Sequence, residues 1–273
     1  MRESSTSLAA LRRTIAALDR SRPEGDAARF ATGHPGLDAA MGGGLARGRL
    51  HELFAEPEEA GAGAGMSLLL GWRAAGEGQA PLFWLRSQGS ARMGGAPYGP
   101  GLAALGIAPD RLLIGTLADS AALLQAALDA LRCPALGAVV IETRGPQPLI
   151  DLTASRRLAL AAEASGVTAL MLRIGDAPAP SAAETRWRVA AAPSAPLPGD
   201  APGHSAFDLR LLRRRAGPDG MGWRMEWQAH RGAFGEWNGG RDDLGREGGA
   251  QPTTLSGAVV SVPAARPAAG RAA

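Results

Sequence analysis

The sequence predicts an α/β domain with a mainly parallel central sheet flanked by helices and antiparallel strands at the C-terminal edge. Three observations support this. Between Phe30 and Leu172, short apolar runs alternate with helix-period segments, the pattern of βαβ units. After Leu172 the pattern becomes two-residue alternation, as in Phe207/Leu209/Leu211 against Asp208/Arg210, which suits antiparallel strands. The 273 residues are 45% hydrophobic and 20% charged, enough for one large core plus an appendage.

The chain opens on an amphipathic helix. Leu8, Leu11, Ile15 and Leu18 form one stripe between Ser5 and Arg20, with Ser5 or Thr6 available as a cap. Pro23 and Gly25 mark Ser21–Ala28 as a linker, so residues 1–28 form a unit apart from the domain spanning 29–234. Within that domain, Arg49–Phe54 alternates like a strand, and the glycine-rich stretch Ala60–Gly65 reads as the loop after it. Met66–Ala75 is expected as the following helix. Pro81–Leu85 and Leu112–Ile114 are short buried-strand runs, and Asp119-Ser120 can cap a helix carrying Leu123, Leu124, Ala127, Leu128 and Leu131. Ala138–Ile141 is the most strand-like stretch and ends in Glu142-Thr143. Thr153–Ser165 is a helix stopped by Gly166, and Val167–Leu172 is a strand. Ile174–Ser181 reads as a loop. Thr185–Ala190, Ala206–Arg213 and Gly222–Gln228 are the edge strands, with a Pro/Gly/Ala-rich turn over Ala192–Gly203. Residues 235–273, rich in Gly, Ala, Arg and Pro, are expected to be a disordered tail.

Composition removes several chemistries. All 29 basic residues are arginine, against 26 acidic ones, for a formal charge of +3; the pI of 10.2 reports guanidinium groups. Without lysine there is no Schiff base and no complete phosphate-binding loop. Cys133 is the only cysteine, and His34, His51, His204 and His230 lack ligand spacing, so neither a disulfide framework nor a metal site is expected. The polar N-terminus is unlike a signal peptide, and no run reaches the ~20 apolar residues of a membrane span. The expected location is cytoplasmic. Ser90 and Ser205 lack a G-x-S-x-G setting, and Trp72 and Trp84 sit in expected core elements.

The segment from Thr32 to Leu53, TGHPGLDAAMGGGLARGRLHEL, resembles the run that leads into the phosphate loop of RecA-type ATPases. Its glycines permit positive φ, and Leu37 and Leu45 can anchor it to the sheet. The likeness continues through Leu82–Leu85, Tyr98–Ile107 and Leu112–Glu142. Within that superfamily, the lead helix, the altered phosphate loop and the Trp-rich end resemble the ImuA (inducible mutagenesis protein A) family. The resemblance implies a RecA-like fold and a part in the SOS response to DNA damage, in error-prone translesion synthesis and repair. It also implies two partners: an ImuB-like, catalytically defective Y-family polymerase homologue and an error-prone C-family DNA polymerase. RecA and single-stranded DNA are further candidates.

A working Walker A loop reads G-x-x-x-x-G-K-[ST]. The best register here is Ala60-Gly61-Ala62-Gly63-Ala64-Gly65-Met66-Ser67. Ala60 replaces the first glycine and Met66 the lysine, while Gly65 and Ser67 remain. Glu56, Glu58 and Glu59 precede the loop; at ~4 Å one like-charge pair costs about 4 kcal/mol at an effective dielectric of about 20. Glu142 matches the Walker B position. Arg86-Ser87-Gln88 stands where RecA-like ATPases carry a catalytic glutamate. No catalytic residues and no bound cofactor are therefore expected, beyond residual ATP binding through Gly65, Ser67 and backbone amides.

The stretches matching the DNA loops of RecA, Thr143–Pro148 and Ile174–Ser181, are poor in arginine. Basic residues gather instead at Arg210, Arg213, Arg214, Arg215, Arg224 and Arg231, interleaved with Trp223, Trp227 and Trp237. Such a mixture serves protein hot spots or base stacking. Strand alternation also places Trp223, Met225 and Trp227 on one face, as core packing requires. The expected reading is a non-catalytic scaffold that docks its partner through Leu8, Leu11, Ile15, Leu18, Arg213, Arg214, Arg215, Trp223 and Trp227. Its rivals are an active or weak DNA-dependent ATPase of RecA type and a SulA-like cell-division inhibitor.

Overall fold

A computed structural model describes residues 28–237, except 77, 79, 198–200 and 202. The expected lead helix, with Leu8, Leu11, Ile15 and Leu18, lies outside the described residues, as does the tail from residue 238.

The domain begins with a small hairpin-like pair, β1 (Arg29–Phe30) and β2 (Leu45–Ala46), around the short helix α1 (Pro35–Ala40). Asp38 fixes this turn. Its carboxylate accepts the N–H and hydroxyl of Thr32 at 2.8 Å and the N–H of Gly33 at 2.9 Å. Leu37 and Leu45 are buried, the anchoring expected of them. There follow β3 (Leu50–Ala55), α2 (Ala60–Ala75), β4 (Leu82–Ser87), α3 (Gln88–Gly94), α4 (Gly99–Ala104), β5 (Leu112–Leu117) and α5 (Ser120–Leu131). Next come β6 (Ala138–Arg144), α6 (Leu152–Ser165), β7 (Thr168–Ile174), β8 (Thr185–Ala191), β9 (Ala206–Arg214), β10 (Gly222–Gln228) and β11 (Ala233–Glu236). Asp119 caps α5 by accepting the Ala122 N–H. Asp151 does the same for α6 from Ala154, and Gly166, in the left-handed region, ends it.

Nine strands form one sheet in the order β11-β10-β9-β8-β3-β7-β6-β4-β5. From β5 to β8 all neighbours are parallel; β9, β10 and β11 add on antiparallel. Because β6 and β7 are covered on both faces, they read as nearly continuous apolar runs. Helix α2 covers one face, where Leu53, Met66, Leu69, Leu82, Leu170, Trp187, Leu209 and Trp227 share a core. On the other face, α5 and α6 pack over β3, β4, β6 and β7 around Leu50, Leu123, Val139, Ile141, Leu158 and Met171. Strand β11 lacks the length to stand out in the sequence. It runs to Glu236, two residues into the stretch read as a tail.

Two details show how tightly the start of the domain is specified. Gly44 has φ +112°, and a Cβ there would lie 2.1 Å from the Phe30 carbonyl oxygen; Gly42 has φ +67° and open space around it. His51 is fully buried in a chain of hydrogen bonds that joins three strands. The Trp187 indole donates to Thr185 Oγ1 at 2.6 Å, and Thr185 and His51 Nδ1 are 2.7 Å apart. His51 Nε2 lies 2.9 Å from the Ala46 carbonyl. Since a carbonyl only accepts, Nε2 carries the proton and Nδ1 accepts from the Thr185 hydroxyl. Burial pushes this imidazole down to about 4.

Gly44→Ala therefore destabilises the fold by at least about 2 kcal/mol. Gly42→Ala costs about 1 kcal/mol, and urea denaturation of both variants measures the difference. The pH dependence follows from the imidazole. Unfolded His51 takes up a proton below pH 6.5 and folded His51 only near 4, so its stabilisation is complete above 6.5. It falls as the pH drops, by about 2 kcal/mol between pH 7 and 5. His51→Gln flattens this slope in urea melts at the two pH values.

Candidate functional site

In open α/β sheets, ligands bind beyond the carboxyl ends of the parallel strands. Here that edge comprises the connections after β3, β4, β6 and β7, and every nucleotide-related residue of the sequence sits there.

The connection after β3 differs from expectation. Pro57–Glu59 form a single 3₁₀ turn, and α2 begins at Ala60. The stretch expected as a glycine-rich loop is therefore the first part of the helix, and its amides from Ala64 onward belong to the helical ladder. The physical reason lies in packing. A Cβ on Gly63 would fall 2.7 Å from Ala55 Cβ and 3.0 Å from Leu172 Cδ1, and one on Gly71 would fall 2.8 Å from Leu82 Cδ1. These glycines let the helix approach the sheet; a Cβ on Gly65 would meet the Phe207 ring at 3.6 Å. Met66 is fully buried in the core. The Ser67 hydroxyl, which would hold a magnesium ion in a phosphate loop, donates to the Gly63 carbonyl at 2.8 Å. Ala60, Gly65, Met66 and Ser67 thus do not fit the phosphates of a nucleotide.

The acidic cluster is also engaged elsewhere. Glu56 accepts from Arg188 at 2.9 Å, and Glu59 accepts the backbone N–H of Ala191 at 2.8 Å, tying the 3₁₀ turn to β8.

At the ends of β4 and β6, Arg86 and Glu142 are direct neighbours. Both side chains are buried, 5% and 2% exposed, and Arg86 grips the carboxylate with Nε at 3.1 Å and Nη2 at 3.3 Å. Further donors of the same guanidinium reach the Gly95 and Ser90 carbonyls, and its plane lies 4.8 Å over the Trp84 ring. The Walker B-like acid is consumed by a structural ion pair. The sequence alone shows Arg86 in the place of a catalytic glutamate, but not that it would bind Glu142.

A second buried ion cluster was not legible in the sequence. Glu52, fully buried on β3, pairs with Arg186 at 2.9 Å, lies 3.9 Å from Arg173, and accepts the Ser181 hydroxyl at 2.8 Å. Arg173 also holds Asp176, so the stretch Ile174–Ser181 is folded down on its own charges. A carboxylate inside the apolar run Leu50–Phe54 was the available signal, since an acid in a buried strand needs a paired cation.

Of the residues assigned to partner docking, those described do not all reach the surface. Arg213 and Arg215 are exposed; Arg214 is half-buried and donates to the Ala40 carbonyl at 2.9 Å. Trp223 packs on Trp187 with ring centroids 6.0 Å apart. Trp227 is only 1% exposed; it stacks edge-on against Phe234 and donates to the Leu105 carbonyl at 2.8 Å. Trp227 is thus a core residue and offers no surface for docking. Trp84 is likewise buried, and Trp72 lies under Arg111 at 4.5 Å. Among the described residues there is no cluster of metal-ligating side chains and no helix long and apolar enough to cross a membrane.

No family model matches the chain. The chain is 33% identical over 212 residues to Protein ImuA of Caulobacter vibrioides, in strains NA1000/CB15N and ATCC 19089/CB 15 alike. That match covers 72% of this chain and 82% of the relative. Identity of this extent, together with the sheet described above, places the chain in the ImuA family.

Proposed function

We propose that this protein is a non-catalytic, RecA-like scaffold of damage-induced mutagenic translesion synthesis. It docks an ImuB-like inactive Y-family polymerase homologue and, through it, an error-prone C-family polymerase. The observation that supports this most is the state of the strand-end edge. The lysine position is a core methionine inside a continuous helix, and the Walker B-like acid is closed off by Arg86. A cation on the terminal phosphate and a positioned base each supply orders of magnitude in rate, and this edge offers neither. What remains is a rigid sheet with surfaces to present. The lead stripe Leu8, Leu11, Ile15 and Leu18 and the exposed Arg213 and Arg215 are the residues assigned to docking.

Three outcomes are expected. Titration of the full chain with a fluorescent ATP analogue gives no saturable binding, and phosphate release stays at background with or without DNA; turnover that disappears in Glu142→Ala overturns the scaffold reading in favour of an ATPase. Glu142→Gln instead acts on the fold. It leaves Arg86 buried without its counter-charge and lowers stability by about 3 kcal/mol, read as a shift in the urea midpoint. In pull-downs of the full chain by the ImuB-like partner, Leu11→Asp/Ile15→Asp and Arg213→Glu/Arg215→Glu reduce capture. Undiminished capture by both rejects the docking assignment, and binding to the tubulin-like division protein instead favours the SulA-like rival.

A further inference from the structure

The layer formed by α5 and α6 packs over β3, β4, β6 and β7, leaving the same face of the antiparallel strands beyond it. Phe207, Leu209 and Leu211 of β9 point into the α2-side core, so Asp208 and Arg210 point the other way. Across the ladder, Arg188 is directly opposite Arg210, Arg210 is opposite Gly222, and a bulge at Leu212 shifts the register so that Arg213 is opposite Arg186 on the same face. Arg188, Arg210, Gly222 and Arg213 are all exposed.

Like charges directly opposite each other on neighbouring strands destabilise a sheet. Carboxylates answer some of these guanidinium groups: Glu56 takes Arg188 at 2.9 Å, and Asp208 takes Arg224 at 2.7 and 3.0 Å. Among the described residues Arg210 and Arg213 have no such partner, and Nη2 of the neighbouring, buried Arg186 has no hydrogen-bond acceptor. At one side of the row Arg224 lies 4.9 Å over the ring of Trp237, whose indole N–H donates to the Pro193 carbonyl. Gly222, beside Arg210, leaves that position without a side chain.

We infer that this face of β8, β9 and β10, which the described helices α5 and α6 leave clear, binds single-stranded nucleic acid, with Arg210 and Arg213 on successive phosphates and the Arg224/Trp237 pair as a stacking platform. Closely set, unanswered guanidinium groups fit a ligand whose anionic charges are regularly spaced. A flat ring beside them fits bases, because base–aromatic stacking tolerates any sequence. An acidic peptide would satisfy the arginines and leave the ring unused. The assignment shares Arg213 with the polymerase-docking proposal, and a readout without any partner protein keeps the failure of one distinguishable from the failure of the other.

The test is fluorescence anisotropy of the full chain with a labelled oligothymidylate at several salt concentrations. The wild type binds with affinity that falls as salt rises. Arg210→Ala/Arg213→Ala weakens binding about tenfold at low salt and reduces the log–log salt slope by about 0.7 for each phosphate no longer neutralised. Trp237→Ala weakens binding with the slope unchanged, whereas Arg132→Ala, at the far end of α5, leaves both unchanged. Urea melts of the arginine double variant show no loss of stability, because these side chains are exposed and lie among like charges. Three results overturn the inference: no binding by the wild type, a double variant indistinguishable from it, or equal affinity for polyglutamate, which would mark an acidic-protein surface instead.

Discussion

Helix α2 lies against the sheet at van der Waals distance, with Gly63 over Ala55 and Leu172 and Gly71 over Leu82. Alternating glycines are poor helix formers, each costing about 1 kcal/mol relative to alanine, so the helix owes its form to what it buries. Met66, Leu69 and Leu70 are almost wholly removed from water on its sheet-facing side, and a fully buried large aliphatic side chain contributes about 1.5–3 kcal/mol. Winding the segment from Ala60 onward turns its amides inward along the helix. The same packing that secures the core therefore removes the splayed amides that a phosphate group would need.

Charge is handled consistently at the same edge. Arg86 with Glu142, and Glu52 with Arg186, join neighbouring strands, and Arg173 links Glu52 to Asp176. Buried ion pairs add little net stability relative to apolar packing, yet removing one partner is costly. Their effect here is to fix which groups meet at the strand ends. Arginine suits this role better than lysine, because its planar fork makes two bonds to a carboxylate while further donors reach carbonyls. Arg86 does this with Glu142, Gly95 and Ser90.

The parallel strands and the capped helices α5 and α6 were readable because their signals are local: apolar runs such as Ala138–Ile141, Asp119 and Asp151 before a helix, Gly166 after one. The edge strands followed from alternation in Ala206–Arg213 and Gly222–Gln228. Three features were not local. The helical state of Ala60–Gly65 depends on Ala55 and Leu172, which meet it only through the fold, while glycine content alone suggests a loop. The pairing of Arg86 with Glu142 depends on strand order, since β4 and β6 are adjacent only because β5 lies outside them. The burial of Trp227 depends on Phe234 in β11, a strand of four residues that carries almost no pattern. At the strand ends the chemistry of each residue is set by its neighbours in space, which no motif carries.

Arginine supplies every basic group of this chain, so its presence at a position says little; its company says more. Inside the domain the guanidinium groups of Arg86, Arg173 and Arg186 meet carboxylates, and at the surface Arg49 meets Glu163 at 2.7 Å. Across β8 and β9, Arg188 faces Arg210 on the ladder, while its ion-pair partner Glu56 comes from the 3₁₀ turn after β3. Cross-strand partners lie close enough for repulsion to matter even in water. On this face Glu56 answers Arg188 and Asp208 answers Arg224, which leaves Arg210 and Arg213 without a carboxylate among the described residues.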